Sequence, residues 1–301
     1  MTRSGFIGLA GRPNVGKSTL VNAIVGSKVA IISERPQTTR RAVRGIATAS
    51  DLSWQMILVD LPGVQRPRDS LTERMQHRVE RELIESDAVL MVLNGEQGVG
   101  PGDRFIADAL LAGAERAAGA GPVICAVNKI DRLSKGKLVT VLAEAAELSC
   151  VDEVFPISAR IGTGLEQLSE HLSGLLPEGP LMYDSEDTSD LPSDVHLAEL
   201  IREQVLRRTH EEVPHAVEVA VLETEVREDG IIEVRAQIWV ETESQKAILI
   251  GKGGRMVREV GTGARKELER ELGGQVFLDL RVRVRERWRR DNDMLDRLGI
   301  E

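Results

Sequence analysis

The octapeptide Gly11-Arg12-Pro13-Asn14-Val15-Gly16-Lys17-Ser18, set between a short apolar run and an amphipathic segment, constrains the fold of this 301-residue chain more than any other stretch. It reads as a phosphate-binding loop. Gly11 and Gly16 let the backbone curl so that successive N–H groups face phosphate oxygens, Lys17 brings positive charge near the β and γ phosphates, and Ser18 offers a hydroxyl to Mg²⁺. The helix that begins here points the positive end of its dipole at the same anion. Such a loop needs a strand before it and a helix after it. Gly5 to Ala10 is short and apolar, as a buried parallel strand requires, and Leu20, Val21, Ile24 and Val25 recur at helical spacing.

The chain beyond this loop supplies what a nucleotide site needs at the ends of further strands. Val43 to Thr48 and Gln55 to Asp60 form a strand pair around Ser50-Asp51-Leu52-Ser53, and the second strand ends in Asp60-Leu61-Pro62-Gly63. Beside a phosphate loop, Asp60 can hold Mg²⁺ through water and Gly63 can turn its N–H toward the γ-phosphate. A helix over 70–85, a strand over 88–93, a helix near 103–112 and a strand over 122–127 continue the alternation. That rhythm predicts an α/β domain with a mostly parallel sheet whose ligands sit at the carboxyl ends of the strands.

At that edge lies Asn128-Lys129-Ile130-Asp131, and it selects the base. An ionised carboxylate only accepts hydrogen bonds, and guanine presents adjacent N–H donors on its N1 and N2 edge where adenine does not. Asp131 therefore reads guanine, Lys129 lays its methylene stem over the base, and Asn128 ties this loop to the phosphate loop. After one more helix and the strand 154–157, the backbone N–H groups of Ser158, Ala159 and Arg160 are placed to meet guanine O6. The expected nucleotide is GTP or GDP.

Composition narrows the classes. A net charge of −9 excludes whole-protein attraction to nucleic acid, so any such activity must come from a local patch. Cys125 and Cys150 have no metal spacing and read as buried reduced thiols of a cytosolic protein. No apolar run approaches the roughly 18 residues needed to span a bilayer, and no hydrophobic leader is recognisable, so a soluble chain is expected.

A helix over 165–176 closes the first domain at Pro177, giving the reading 1–177 for the nucleotide domain. Residues 178–194 are rich in Asp, Glu and Pro and lack Lys and Arg, the composition of a solvated acidic linker. From 195 to 301 a second domain follows. Asp194 is read as the N-cap of a helix over 195–208, then 217–226 and 231–240 alternate as a hairpin about Glu228-Asp229-Gly230. A helical turn over 245–250 leads into Gly251-Lys252-Gly253-Gly254, a long amphipathic helix over 255–272, and a strand over 275–284. Between two helices, a cation inside G-x-x-G lets a nucleic-acid backbone approach while Lys252 and N–H groups face phosphate. Arg255 and Arg258 continue the basic face, and 246–290 carries a positive excess inside an acidic chain.

Gly11 to Ser18, Thr38-Thr39, Asp60 to Gly63, Asn128 to Asp131 and Ser158 to Arg160 resemble, in order and approximate spacing, the five motifs of translation-factor-class GTPases. The form G-R-P-N-V-G-K-S with Q-T-T-R resembles the bacterial Era family, and α-β-β-α-G-x-x-G-α-β resembles a type II KH domain. The departure is small: family members often carry Thr where this chain has Leu61.

The resemblance implies a GTPase with a slow intrinsic rate, with Thr39 rather than Thr38 closing on Mg²⁺ and the γ-phosphate alongside Ser18 and Asp60. Val64 stands where many GTPases have a water-orienting Gln. Asn14 is then implied to help hold K⁺ beside the β and γ phosphates, so Lys17, Asn14 and Thr39 form the catalytic set. The implied partner is single-stranded RNA at the 3′ end of small-subunit ribosomal RNA, the process is small-subunit assembly, and the protein is a cytoplasmic monomer with peripheral contact at the cell membrane. Two other readings stay open: an ATP-dependent P-loop enzyme, which Asp131 opposes, and a GTPase whose C-terminal domain binds only protein.

Overall fold

The apolar runs become the strands of one sheet. In the computed structural model, residues 2–33, 35, 38–64, 69–116, 121–210, 213–298 and 300 are described, with backbone alone at 114–116 and 297. The chain forms two compact units, the first made of Met1–Ala30, Thr39–Arg68 and Thr72–Asp190, the second of Leu191–Glu301 together with the short segments Ile31–Thr38 and Asp69–Leu71.

The first unit runs β1 (Arg3–Ala10), α1 (Lys17–Val25), β2 (Val43–Thr48), β3 (Trp54–Asp60), α2 (Ser70–Glu85), β4 (Ala88–Asn94), α3 (Pro101–Arg116), β5 (Val123–Asn128), α4 (Lys135–Ala146), β6 (Glu153–Pro156) and α5 (Leu165–Leu175). The sheet order is β2-β3-β1-β4-β5-β6. All neighbours are parallel except the β2–β3 hairpin, as an α/β fold with helical crossovers dictates. Every residue of β4 is buried, because helices cover both faces and no side chain of a central parallel strand reaches water. Ile7, Leu58, Leu90 and Leu168 pack one face, and Met91, Ile106, Cys125 and Val141 the other. Parallel pairing has a direct consequence for function: the carboxyl ends of β1, β3, β5 and β6 emerge on one edge of the sheet. Burial raises the Cys125 thiol to about 12 and that of half-buried Cys150 to about 11, so neither is a nucleophile at neutral pH.

The acidic stretch after Pro177 is strapped to this unit rather than free in solvent. Buried Gln55 donates to the Tyr183 carbonyl at 3.0 Å and its Oε1 accepts the N–H groups of Met182 and Tyr183 at 2.8 and 2.9 Å. Ile46 N–H donates to the Thr188 carbonyl at 2.9 Å and Arg44 pairs with Asp190 at 3.1 Å, so the strap covers the edge strand β2. We therefore propose a domain boundary at Asp190 in place of Pro177.

The second unit runs α6 (Ser193–Arg208), α7 (Val213–Ala216), β7 (Glu218–Val226), β8 (Ile232–Val240), α8 (Glu243–Ile250), α9 (Arg255–Leu272), β9 (Val276–Val284) and α10 (Asn292–Arg297). Its sheet has the order β7-β8-β9, with β7 antiparallel and β9 parallel to β8. Leu197, Ile201, Val234, Ile238, Val260, Ala264 and Leu268 form the core between helices and sheet. The N-cap reading for Asp194 is corrected: Pro192 occupies the cap and Asp194 lies in the first turn, where its charge still favours the helix dipole. Inside this unit Arg202 is fully buried. It donates Nε to Glu199 Oε1 at 3.0 Å and Nη2 to the Thr38 carbonyl at 2.5 Å, with the wholly buried Glu218 3.9 Å away.

Candidate nucleotide and RNA sites

Gly16, at φ 104°, shows why the loop needs glycine, since a Cβ there would lie 2.4 Å from Asn128 Nδ2. With that space open, Asn128 donates to the Val15 carbonyl at 3.0 Å, the tie between base loop and phosphate loop that the sequence predicts. Lys17 is buried and turns its Nζ onto the carbonyls of Gly11 and Arg12, at 3.1 and 3.4 Å. Arg12 is anchored in a way the sequence reading missed: its Nε donates to fully buried Asp103 Oδ1 at 2.8 Å, fixing the loop to the first turn of α3. The signal was an Asp two residues after Pro101, an ordinary helix start.

Burial lowers Lys17 from 10.5 to about 8, with nearby Asp60 acting the other way. A lowered amine binds fewer protons folded than unfolded between about 8 and 10.5, so the chain gains stability from this group as pH rises across that window. Phosphate next to the amine restores its proton. GDP binding without Mg²⁺ is therefore expected to take up a proton at pH 8.5 and none at pH 6.5, measured by calorimetry in two buffers of different ionisation enthalpy.

Ser18 and Thr39 converge on Asp60. Ser18 Oγ donates to Asp60 Oδ2 at 2.6 Å, and Thr39 Oγ1 lies 3.3 Å from that oxygen and 3.2 Å from Ser18 Oγ. Asp60 Oδ1 is buried with no hydrogen-bond partner among the described residues. Burial raises the carboxyl, with Lys17, Ser18 and Thr39 opposing. A hard cation with oxygen ligands at about 2.0–2.1 Å suits this donor set, and the orphaned Oδ1 is the atom it would satisfy. Thr38 instead donates its hydroxyl to the Arg35 carbonyl at 2.6 Å, so geometry favours Thr39. Leu61 is fully buried. A Cβ on Gly63 would lie 2.7 Å from Pro13, and Val64 N–H donates to the Gly11 carbonyl at 3.3 Å, which packs this turn on the phosphate loop. The Val64 side chain faces apolar neighbours, as expected of a residue that orients no water. Residues 34, 36, 37 and 65–68, which flank Thr38-Thr39 and the Asp60 to Gly63 turn, lie outside the described residues.

The base end is built by Asn128 and Asp131. Asn128 Oδ1 accepts the N–H groups of Lys129 at 2.8 Å and Ala159 at 3.0 Å. Lys129, at φ 66°, reaches the Asn14 carbonyl with Nζ at 2.9 Å, and Ile130 packs beneath the loop. The Ser158 hydroxyl on Asp131 Oδ1 and the Arg160 guanidinium on Oδ2, both at 2.6 Å, hold this carboxyl below its usual range. The N–H groups of Ser158 and Ala159, expected to meet guanine O6, donate within the chain to the Thr163 carbonyl at 2.9 Å and to Asn128 Oδ1 at 3.0 Å. Guanine O6 must share or displace those bonds, because the loop is closed by a Ser158–Thr163 bridge.

In the second unit Thr242 and Gln245 form a reciprocal cap on α8, which delivers the chain to Gly251. Gly251 is structural: at φ 70° and ψ 172° a Cβ would lie 2.8 Å from Met256 Cβ. Gly253 and Gly254 also have positive φ, but a Cβ there meets open space, leaving room for a ligand backbone. Lys252 is exposed, Arg255 pairs with Glu259 at 2.8 Å, and Arg258 lines a groove with Arg208 and Lys266.

A phosphate loop, a buried carboxylate at the neighbouring strand end and an acceptor-only base reader, all on one edge of a parallel sheet, are the marks of a P-loop GTPase, here continued by a KH-type unit. Comparison with known proteins agrees: the family described as 50S ribosome-binding GTPase matches residues 6–129, and the KH domain family matches 212–289. The chain is 45% identical over 301 residues to the GTPase Era of Mycolicibacterium smegmatis and 44% identical to that of Mycobacterium sp. (strain JLS), covering 99% of each chain. It also matches, at 33% identity and a TM-score of 0.94, the crystal structure of Era in complex with MgGDPNP and nucleotides 1506–1542 of 16S ribosomal RNA, over 100% of this chain and 99% of that one. A single-residue variant of Aquifex aeolicus Era, bound to GDP.AlF4⁻, matches at 33% identity and a TM-score of 0.93, covering 99% of each. The chain belongs to the Era family of GTPases, and it hydrolyses GTP.

Proposed function

We propose that this GTPase binds single-stranded RNA at the 3′ end of 16S ribosomal RNA through its KH unit and assists assembly of the small ribosomal subunit. The observation that carries the reading is the open Gly253–Gly254 turn beside exposed Lys252, in a chain that superposes over its length on a relative solved with that RNA segment. The exposed positive charge, local to this unit of an acidic protein, supports the same partner. The test is titration of the full chain, loaded with a non-hydrolysable GTP analogue or with GDP, against a 3′-terminal oligonucleotide and a scrambled control. Preference for the authentic sequence is expected; equal binding of the scrambled strand would remove the ribosomal assignment.

In hydrolysis, the N–H groups of Gly11 to Ser18 and the Lys17 ammonium stabilise charge developing on the β and γ oxygens as water attacks in line. Held by Ser18, Thr39 and Asp60, Mg²⁺ would supply further neutralisation of those oxygens. Gly63 N–H faces the γ-phosphate, Asn128 and Lys129 position the base, and Asp131 accepts its N1 and N2 donors. Since Val64 cannot orient water, Asn14 takes on added weight by helping to hold K⁺. Hydrolysis is then expected to run roughly tenfold or more faster in K⁺ than in Na⁺, with the difference lost in Asn14→Ala. Equal rates in the two salts would end that part of the proposal.

The protein works as a cytoplasmic monomer in this reading. Among the described residues no helix is long and apolar enough to cross a membrane, and a peripheral contact with anionic lipid would use the same basic face as RNA. Nucleotide state and RNA affinity are linked in this reading.

A further inference from the structure

Both oxygens of the base-reading carboxylate are occupied by the protein itself. Asp131 Oδ1 accepts the Ser158 hydroxyl and Oδ2 accepts Arg160 Nη2, each at 2.6 Å. The two partners differ in kind. Ser158 is fully buried and sits at the foot of a loop closed by the Ser158–Thr163 bridge, so its hydroxyl stays in place. Arg160 projects from the tip of that loop with its side chain 64% exposed, whereas the Asp131 side chain is 7% exposed. Its guanidinium therefore binds the carboxylate from an exposed side chain that can move away.

We propose that Arg160 is a specificity-determining residue, an internal competitor of guanine whose hold on Asp131 Oδ2 is weakened when the base is read. Guanine brings two adjacent donors, N1–H and the 2-amino group, and so calls on both carboxylate oxygens. Hypoxanthine brings N1–H alone and can bind with Arg160 still on its oxygen. Arg160 thus weakens guanine nucleotides more than hypoxanthine nucleotides, and it speeds guanine nucleotide release by re-forming its ion pair as the base leaves. The inference rests on Asp131 reading the base.

The experiment is calorimetric titration of the full chain with GDP and with inosine diphosphate at low and high salt. Arg160→Ala and Arg160→Gln, at an exposed position, are expected to bind GDP about two- to fivefold more tightly than the parent, the range an exposed ion pair provides. Inosine diphosphate should change less, and the gain on GDP should fade at high salt as screening weakens the competing pair. Unchanged or weaker GDP binding overturns the proposal, as does equal tightening for both nucleotides. Asp131→Ala separates the two claims. If that variant binds GDP as the parent does, the base assignment itself is wrong. If it loses GDP while Arg160→Ala leaves GDP affinity unaltered, only the competitor role falls.

Discussion

Lys252→Asp combined with Gly253→Asp is expected to lower RNA affinity about a hundredfold while leaving the fold intact, because a phosphate-facing cation is reversed and a second carboxylate is set beside it. The structure makes this substitution informative. Gly253 sits at φ 61° and ψ 25°, a left-handed conformation that Asp tolerates better than most residues, and a Cβ there touches nothing within 4 Å. Lys252 is exposed and holds no packing position. Circular dichroism and the midpoint of thermal unfolding should therefore match the parent, while titration with the 3′-terminal oligonucleotide should show the loss and a shallower dependence on salt. RNA binding at parental strength would make Gly251 to Gly254 a turn between α8 and α9 and favour a protein partner for this unit. Gly251 would be a poor choice for the same purpose, because its substitution drives a Cβ into Met256 and confuses loss of fold with loss of ligand.

Arg202→Ala is expected to destabilise the second unit by about 3–5 kcal/mol, the usual result of removing one member of a buried ion pair. Arg202 has no exposure, Glu218 has none and Glu199 is 8% exposed, so the variant leaves two carboxylates buried without this cation and the Thr38 carbonyl without its donor. Urea unfolding of the full chain followed by a probe in this unit, such as fluorescence of buried Trp288, reads the change as a lower midpoint with little change in slope. Arg202→Ala joined to Glu218→Gln should recover part of the loss, since an amide is less costly to bury than a carboxylate that has lost its nearby cation. A loss below about 1 kcal/mol would mean that water reaches the cluster in solution and screens it.

The nucleotide site was legible because each part is a short contiguous motif whose chemistry is local. Gly16, Lys17 and Ser18 act through backbone freedom, charge and a hydroxyl, and the strand-loop-helix context can be read on either side of them. Asp60 and Asn128 to Asp131 were legible for a related reason: a parallel sheet sends every strand's carboxyl end to one edge, so topology alone brings distant motifs together. The KH-type unit could be read from a helix and hairpin order around a cation-bearing glycine turn. The strap at 178–190 was not, because its acidic, proline-containing composition suits a solvated linker, and only the buried Gln55 amide shows what it binds. Neither Arg12 on Asp103 nor Arg202 among Glu199 and Glu218 carries a motif, since a charge run in sequence looks the same whether water or another side chain faces it.

The sequence by itself determined the reaction class, the base and the fold of each unit, because phosphate, carboxylate and glycine chemistry act over a few neighbouring residues. Tertiary structure decided which polar groups already have partners. It set Thr39 rather than Thr38 beside Asp60, left Asp60 Oδ1 without a hydrogen-bond partner among the described residues, committed the N–H groups of Ser158 and Ala159 and set Arg160 on Asp131, since burial and hydrogen bonding depend on residues far apart in the chain.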